Sequence, residues 1–397
     1  MSSPRNRRAV RLPATDFGIR VLPFGVFRPP GGSARVGVAV GTDVLDLAAA
    51  LGDRTFAADT LNPFLAQGPE RWRQVHEQVA ALVTDGLGAE RADLYRQQDV
   101  ELLLPVEVAD FVDFFSSVEH AVNAGKILRP GEEPLKPNYR HLPVGYHGRS
   151  GTVVVSGTPV VRPWGQVRID GDPPRSVEQP SERLDIEVEL GYVVGTGSEL
   201  GTPVTASEFA RHVFGVVILI DWSARDIQAW EYQPLGPFLG KSFATTISPW
   251  VVPLTALTDA WVPGPVQDPA VLPYLQVPEP RNLSVELVLE VNGTQLSRPQ
   301  ADALYWSPAQ QLAHMTRNGA CLRVGDLYGT GTVSSFDPAA QGSLLELSHS
   351  GRVPVPLDDG SALGYLRDDD EVVIRAWAGP GRLPLGDARG RVGKATG

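Results

Sequence analysis

The 397-residue chain is 42% apolar and 20% charged, with a formal net charge of −11. Its length gives room for two domains around buried cores, while the acidic balance argues against nucleic acid and anionic membrane, which both reward a basic face. One cysteine, Cys321, excludes an internal disulfide framework and any multi-cysteine metal site; it reads as a small buried apolar residue in a reducing compartment, with cytoplasmic location the default.

Near the N-terminus, Arg5, Arg7, Arg8 and Arg11 have no apolar stretch behind them, so a solvated tail is expected rather than a secretory signal. Residues 17–48 alternate short apolar runs with Pro-Pro-Gly-Gly and Gly-Thr-Asp turns, which predicts a small β-meander or barrel. Residues 62–100 are rich in Glu, Gln, Ala and Arg and are predicted helical. After Pro105 aromatics, His and Asp become frequent, which places a domain boundary near 105 and divides the chain into 1–105 and 106–397.

In the larger unit, Ser116 and Glu119 have capping-box spacing at the start of a helix over 116–128, and Thr205 and Glu208 repeat it before a short helix. Residues 143–168 read as strands and turns. Residues 185–189, Asp-Ile-Glu-Val-Glu, put Asp185, Glu187 and Glu189 on one strand face and apolar side chains on the other. Carboxylates so placed lie roughly 6.5–7 Å apart and repel near a core unless a cation, most simply a hard divalent ion, lies between them. The apolar run through 216–220 predicts a strand buried on both faces that delivers Asp221 at its end; at 214–220 the run is too short to span a bilayer. Further strand-like runs cover 284–292, 344–348 and 371–377. With strands rarely alternating with long helices, the pattern predicts a β-rich α+β fold.

If the segment after Asp221 is helical, Asp221, Arg225, Gln228 and Tyr232 form one polar stripe. A solvated face would explain Arg225 and Gln228 equally well, but Trp222, Trp230 and Trp250 nearby favour a cleft wall. Gly240-Lys241-Ser242 lacks P-loop spacing, and the glycines at 195, 197 and 201 miss the dinucleotide fingerprint, so no nucleotide site is expected; Lys241 remains as a cation in a Gly/Pro loop. No histidine pair has zinc spacing. His120, seven residues after Asp113, is a candidate base, and Glu346 a candidate buried carboxylate to orient it. His141 and His147 sit in a Gly-rich turn that suits local hydrogen bonding.

Four stretches, Asp113-Phe-Phe-Ser-Ser, residues 141–149, residues 185–189 and residues 221–241 with Asp-Trp-Ser-Ala-Arg-Asp-Ile-Gln and Pro-Leu-Gly-Pro-Phe-Leu-Gly-Lys-Ser, resemble the fumarylacetoacetate hydrolase family. The resemblance runs over nearly the whole chain. It implies an SH3-like N-terminal barrel, a mixed β-roll catalytic domain and a homodimer, acting on a small diketo acid: metal-dependent hydrolysis of 4-fumarylacetoacetate to fumarate and acetoacetate, the last step of tyrosine and phenylalanine catabolism. Carried over, the ligands of Mg²⁺ or Ca²⁺ are Asp113, Glu187, Glu189 and Asp221, with Asp185 a neighbour outside the set. The water-activating pair is His120 and Glu346; Arg225, Gln228 and Lys241 stabilise the departing carbanion, and Arg129, Tyr146, Tyr232 and Thr332 contact substrate. Phe115 stands where the family usually has Tyr, removing one hydroxyl near the substrate. Two other readings stay open: a hydratase, isomerase, decarboxylase or acylpyruvate hydrolase on the same scaffold, and a non-enzymatic metal-binding protein.

Overall fold

The computed structural model describes residues 8–86 and 93–396, so the arginines at 5 and 7 lie outside the described residues. Strands β1 (Phe24–Arg28), β2 (Arg35–Val40) and β3 (Asp43–Asp46) form the predicted meander, and helix α1 (Pro69–Thr84) follows. The expected helical stretch is interrupted at Leu94–Arg96, which extends the sheet by pairing with β3. These strands close no barrel among the described residues. Instead β1 pairs with Trp250–Pro253, so the N-terminal strands continue one 13-stranded mixed sheet into the larger unit. The packing is continuous too: Phe24, Phe64 and Trp72 share an apolar core with Phe214, Val217 and Val251.

The centre of that sheet carries β4 (Phe111–Phe114), β5 (Leu184–Val194), β6 (Val213–Ala224) and β7 (Leu327–Gly329), with helix α2 (Val118–Leu128) after β4, helix α3 (Arg225–Glu231) after β6 and a one-turn helix α4 (Leu344–Leu347) after β7. β5 and β6 are antiparallel with Glu187 opposite Asp221. β7 pairs antiparallel with β5, Gly191 opposite Gly329, and parallel with β4, Gly329 opposite Asp113. Ile186, Val188 and Leu190 share a core with Leu287, Ile374 and Ala388 of a second, five-stranded sheet. Each such side chain contributes about 1.5–3 kcal/mol on burial. That anchoring holds the opposite, acidic face of β5 in one register, because a one-residue slip would exchange the two faces.

Several expectations are corrected. α2 is capped by Ser117, whose Oγ accepts the His120 N–H at 3.1 Å, whereas Ser116 Oγ accepts from Gln311 Nε2 at 2.5 Å. The Thr205–Glu208 capping box is present as predicted. Asp221 does not end a strand or begin a helical stripe: it lies inside β6, registered between Glu187 and Thr245, so both backbone edges are committed to ladders. The 344–348 run is helical rather than extended, because Ser343 caps it by accepting the Glu346 N–H. Cys321 is exposed, since it falls on an irregular segment between the Pro308–Met315 helix and β7. Among the described residues no helix is long and apolar enough to cross a membrane.

Candidate active site

A cavity of about 600 Å³ opens over the acidic face of β5 and is lined from α2, α3 and the segment around Tyr146. His120, on the first turn of α2, places Nδ1 2.7 Å from Glu346 Oε2 and Nε2 3.5 Å from Glu187 Oε1. Glu346 is held by four donors: His120 and Ser343 Oγ on Oε2, Asn123 Nδ2 and Ser334 Oγ on Oε1. Its orientation and tautomer-setting role on the imidazole are therefore fixed by packing rather than by solvent. Burial alone would lower the His120 pKa, but the charges of Glu346 and Glu187 raise it to about 9. Burial works on Glu346 in the opposite direction, yet His120, Asn123 and Ser334 hold it below the usual carboxylate range.

The carboxylates come from three strands of the central sheet, with β7 lying between β4 and β5. Asp113 on β4, Glu189 on β5 and Asp221 on β6 each offer an oxygen within 4.8 Å of the others. Asp113 Oδ1 and Glu189 Oε1 are buried without a hydrogen-bond partner. Burial, with the charges of Asp221 and Glu187, pushes Asp113 up to about 7 against the pull of Arg149 and Lys241. Burial and the charges of Asp113, Asp221 and Glu187 raise Glu189 well above its ordinary value. Oxygen-only donors with two orphaned lone-pair sites fit a hard divalent cation.

Glu187, the fourth predicted ligand, stands apart from that triad. Its Oε1 accepts from Arg225 Nη2 at 2.8 Å and its Oε2 from Lys241, whose Nζ also reaches Asp221 Oδ2 at 2.5 Å. Burial would raise the Glu187 pKa, but Lys241 and Arg225 hold it well below the carboxylate range. Asp185 turns away to Arg225 Nε at 2.7 Å and accepts the Ile186, Leu344 and Leu345 N–H groups, which ties Arg225 to the helix that carries Glu346. Gln228 Oε1 accepts from Arg225 Nη1 at 3.1 Å, so α3 supplies a linked pair of donors to the cavity.

The remaining predicted positions also reach the cavity. Arg129, Tyr146, Tyr232, Thr332 and Phe115 line it. Thr332 Oγ1 is buried without a partner, whereas the Tyr146 hydroxyl donates to Asp113 Oδ2 at 3.0 Å. Phe115 packs edge-on against the His120 ring at 5.4 Å. None of Trp222, Trp230 and Trp250 lines the cavity: Trp222 and Trp250 are buried in the core and Trp230 is partly exposed, so the indoles do not form the expected cleft wall. The sequence reading does not single out Arg149, whose guanidinium bridges Asp113 and Asp221. A signal for it existed, because a cluster of five acids balanced only by Arg225 and Lys241 calls for more positive charge.

Residues 111–392 match the family described as fumarylacetoacetate (FAA) hydrolase C-terminal, and residues 20–105 match fumarylacetoacetase N-terminal. The chain is 42% identical to the fumarylacetoacetase of Rattus norvegicus, over 95% of this chain and 96% of that one. It is likewise 42% identical to the Arabidopsis thaliana fumarylacetoacetase, over 91% of each. A solved fumarylacetoacetate hydrolase from Exiguobacterium antarcticum superposes with a TM-score of 0.55 at 18% identity, covering 94% of this chain and 100% of that one, a likeness of fold. With two family matches spanning most of its length, the chain belongs to the fumarylacetoacetate hydrolase family.

Proposed function

We propose that the chain hydrolyses the carbon–carbon bond of 4-fumarylacetoacetate to fumarate and acetoacetate, the step that closes tyrosine and phenylalanine catabolism. The observation that carries this reading is the buried His120–Glu346 pair at a cavity shared with Arg225, Gln228 and Lys241 and backed by the acidic cluster. Identity to rat and Arabidopsis fumarylacetoacetases over nearly the full length supports the substrate.

Asp113, Glu189 and Asp221, joined by Glu187, would hold Mg²⁺ or Ca²⁺, which when bound supplies Lewis acidity to the oxygens of the diketone. His120 acts through Nε2, taking a proton from water as the water oxygen bonds to the ketone carbon, while Glu346 on Nδ1 stabilises the imidazolium. A base needs its neutral form, and Glu187, were it to join the ligand set, would no longer supply one of the two charges that hold the imidazole protonated. The carbon–carbon bond then breaks, its electron pair leaving as the enolate of acetoacetate. Arg225, Gln228 and Lys241 donate to that developing charge from fixed positions, and His120 returns its proton to the carbon. Arg129, Tyr146, Tyr232 and Thr332 hold the substrate's carboxylates and oxygens, with Phe115 as an apolar wall beside the base.

The finer architecture belongs to the same reading: an SH3-like unit up to about residue 105, supported by the separate family match to 20–105, and a β-roll catalytic unit after it. A homodimer is supported by the exposed apolar side chains Trp164, Ile169 and Val177 on the hairpin beside α3. The single cysteine supports a cytoplasmic setting. The test is loss of diketone absorbance with fumarylacetoacetate and with acylpyruvates, with and without divalent ion. H120A should bind metal and fold but lose about 10²–10⁴ in turnover. Turnover within about tenfold of wild type would remove His120 as the base, and faster turnover of an acylpyruvate would transfer the assignment to a related hydrolase.

A further inference from the structure

We propose that Arg149 is a positioning residue of the metal site, setting Asp113 and Asp221 so that the free Asp113 Oδ1 and the Asp221 carboxylate converge on the ion. The inference rests on the reading of the acidic cluster as a divalent-metal site. Arg149 Nη2 lies 2.5 Å from Asp113 Oδ2 and 3.1 Å from Asp221 Oδ2, while Nη1 bonds Asp221 Oδ1 and, at 3.2 Å, Thr245 Oγ1. One planar fork therefore bridges carboxylates from β4 and β6, two strands that are not neighbours in the sheet: β5 and β7 lie between them. The Tyr146 hydroxyl completes the clamp, accepting from Nη2 at 2.9 Å and donating to Asp113 Oδ2 at 3.0 Å.

The consequence for Asp113 is directional. Its Oδ2 is saturated by Arg149 and Tyr146, and its Oδ1 is buried with no partner. That free oxygen is the one left to ligate. The guanidinium is itself fixed, with a side-chain exposure of 3% and its carbon 4.8 Å from the Phe111 ring centre and 5.4 Å from that of Tyr146. Its backbone takes the left-handed φ of +57°, an unfavourable conformation for a residue with a Cβ. Such strain persists where the surroundings over-determine it, and here the reward is a cation delivered between two ligands. Lysine carries the same charge but is a point donor on a flexible stem, so it cannot reproduce a planar two-carboxylate bridge.

The test is calorimetric titration of chelator-stripped protein with Mg²⁺ and with Ca²⁺, on wild type, R149M and R149K, each first verified as folded by circular dichroism. R149M should bind about 10–100-fold more weakly, the usual cost of removing a group that orients a ligand, with R149K between it and wild type. A purely structural role would lower the melting temperature and leave the dissociation constant of the folded protein unchanged. Binding by R149M within about threefold of wild type overturns the proposal. If R149M does not fold, R149K decides: affinity equal to wild type overturns it, and weaker binding supports it. Absence of binding to the wild type would instead overturn the metal reading itself, and this inference with it.

Discussion

Gly329 offers a sharp test of the acidic cluster, because it alters no charge and no ligand. It faces Asp113 across the β4–β7 ladder, and a Cβ built on it would lie 2.6 Å from Glu189 Oε2 and 3.6 Å from Asp113 Oδ1. Ordinary contact begins at 3.4 Å, so in G329A the Glu189 carboxylate must retreat by about 0.8 Å. Glu189 has little freedom to do so: Oε2 accepts the Gly331 N–H at 3.0 Å, and Oε1 is already buried without a partner. Overpacking of this kind costs about 1–3 kcal/mol of stability. Metal–oxygen distances tolerate only about 0.2 Å, so displacing Glu189 should cost more in binding than in folding. The expected result is a roughly 10–100-fold loss of divalent affinity by titration calorimetry, about 1.4–2.8 kcal/mol, with the protein still folded at 25 °C. A G329A protein that binds Mg²⁺ or Ca²⁺ as tightly as wild type would show that Glu189 is not a ligand.

Three other perturbations follow from the same geometry. E346Q should lower kcat by about 10²–10⁴ while metal affinity holds, because the imidazole loses the charge that stabilises its protonated form; a kcat within about threefold of wild type in the diketone assay would contradict the pairing. D185N puts an amide where Ile186, Leu344, Leu345 and Arg225 all donate, and should cost about 3–5 kcal/mol in urea unfolding; an unchanged midpoint would refute the importance of that anchor. Metal binding should depend on pH with a definite sign. Asp113, raised by burial to about 7, and Glu189, raised likewise, keep protons in the metal-free fold that the unfolded chain releases near pH 4, so the metal-free fold loses stability as pH rises through that window. Metal must displace those protons, so affinity should strengthen with rising pH until about 7 is passed, with proton release visible as a buffer-dependent heat; a flat profile from pH 5 to about 8 would refute it.

The elements that the sequence makes legible are those whose local pattern and tertiary environment agree. The alternation at 185–189 predicts strand β5 and its acidic face because Ile186, Val188 and Leu190 are drawn to one core. The pairing of His120 with Glu346, 226 residues apart, follows only from the family resemblance and chemical plausibility, since no spacing encodes it. Where the reading fails, tertiary contacts decide. Asp221 looks like the start of a helical stripe, yet strand pairing on both sides holds it extended. Leu344–Leu347 looks extended, yet Ser343 and the Asp185 carboxylate satisfy the N–H groups of a single helical turn. Arg149 is not legible in the sequence because its partners arrive from β4 and β6, elements that sequence separates from it by more than thirty residues on one side and more than sixty on the other.

Charge counting supports the proposed metal site over a merely buried salt-bridge network. Five buried carboxylates, Asp113, Asp185, Glu187, Glu189 and Asp221, face three buried cations, Arg149, Arg225 and Lys241, while His120 and Glu346 balance each other. The shortfall is two charges, the valence of one Mg²⁺ or Ca²⁺. The shortfall is also localised: Asp185 and Glu187 are fully engaged by Arg225 and Lys241, and the orphaned oxygens belong to Asp113 and Glu189. A fourth fixed cation would neutralise most of the cluster permanently and fill the space an exchangeable ion needs. Protons can cover the deficit, as the raised pKa values of Asp113 and Glu189 indicate, but only by giving up the carboxylate charge that ligation requires. Protonated carboxylates are thus tolerated by the cluster without satisfying it, which is what the proposed exchangeable divalent ion requires of a fold that assembles before binding.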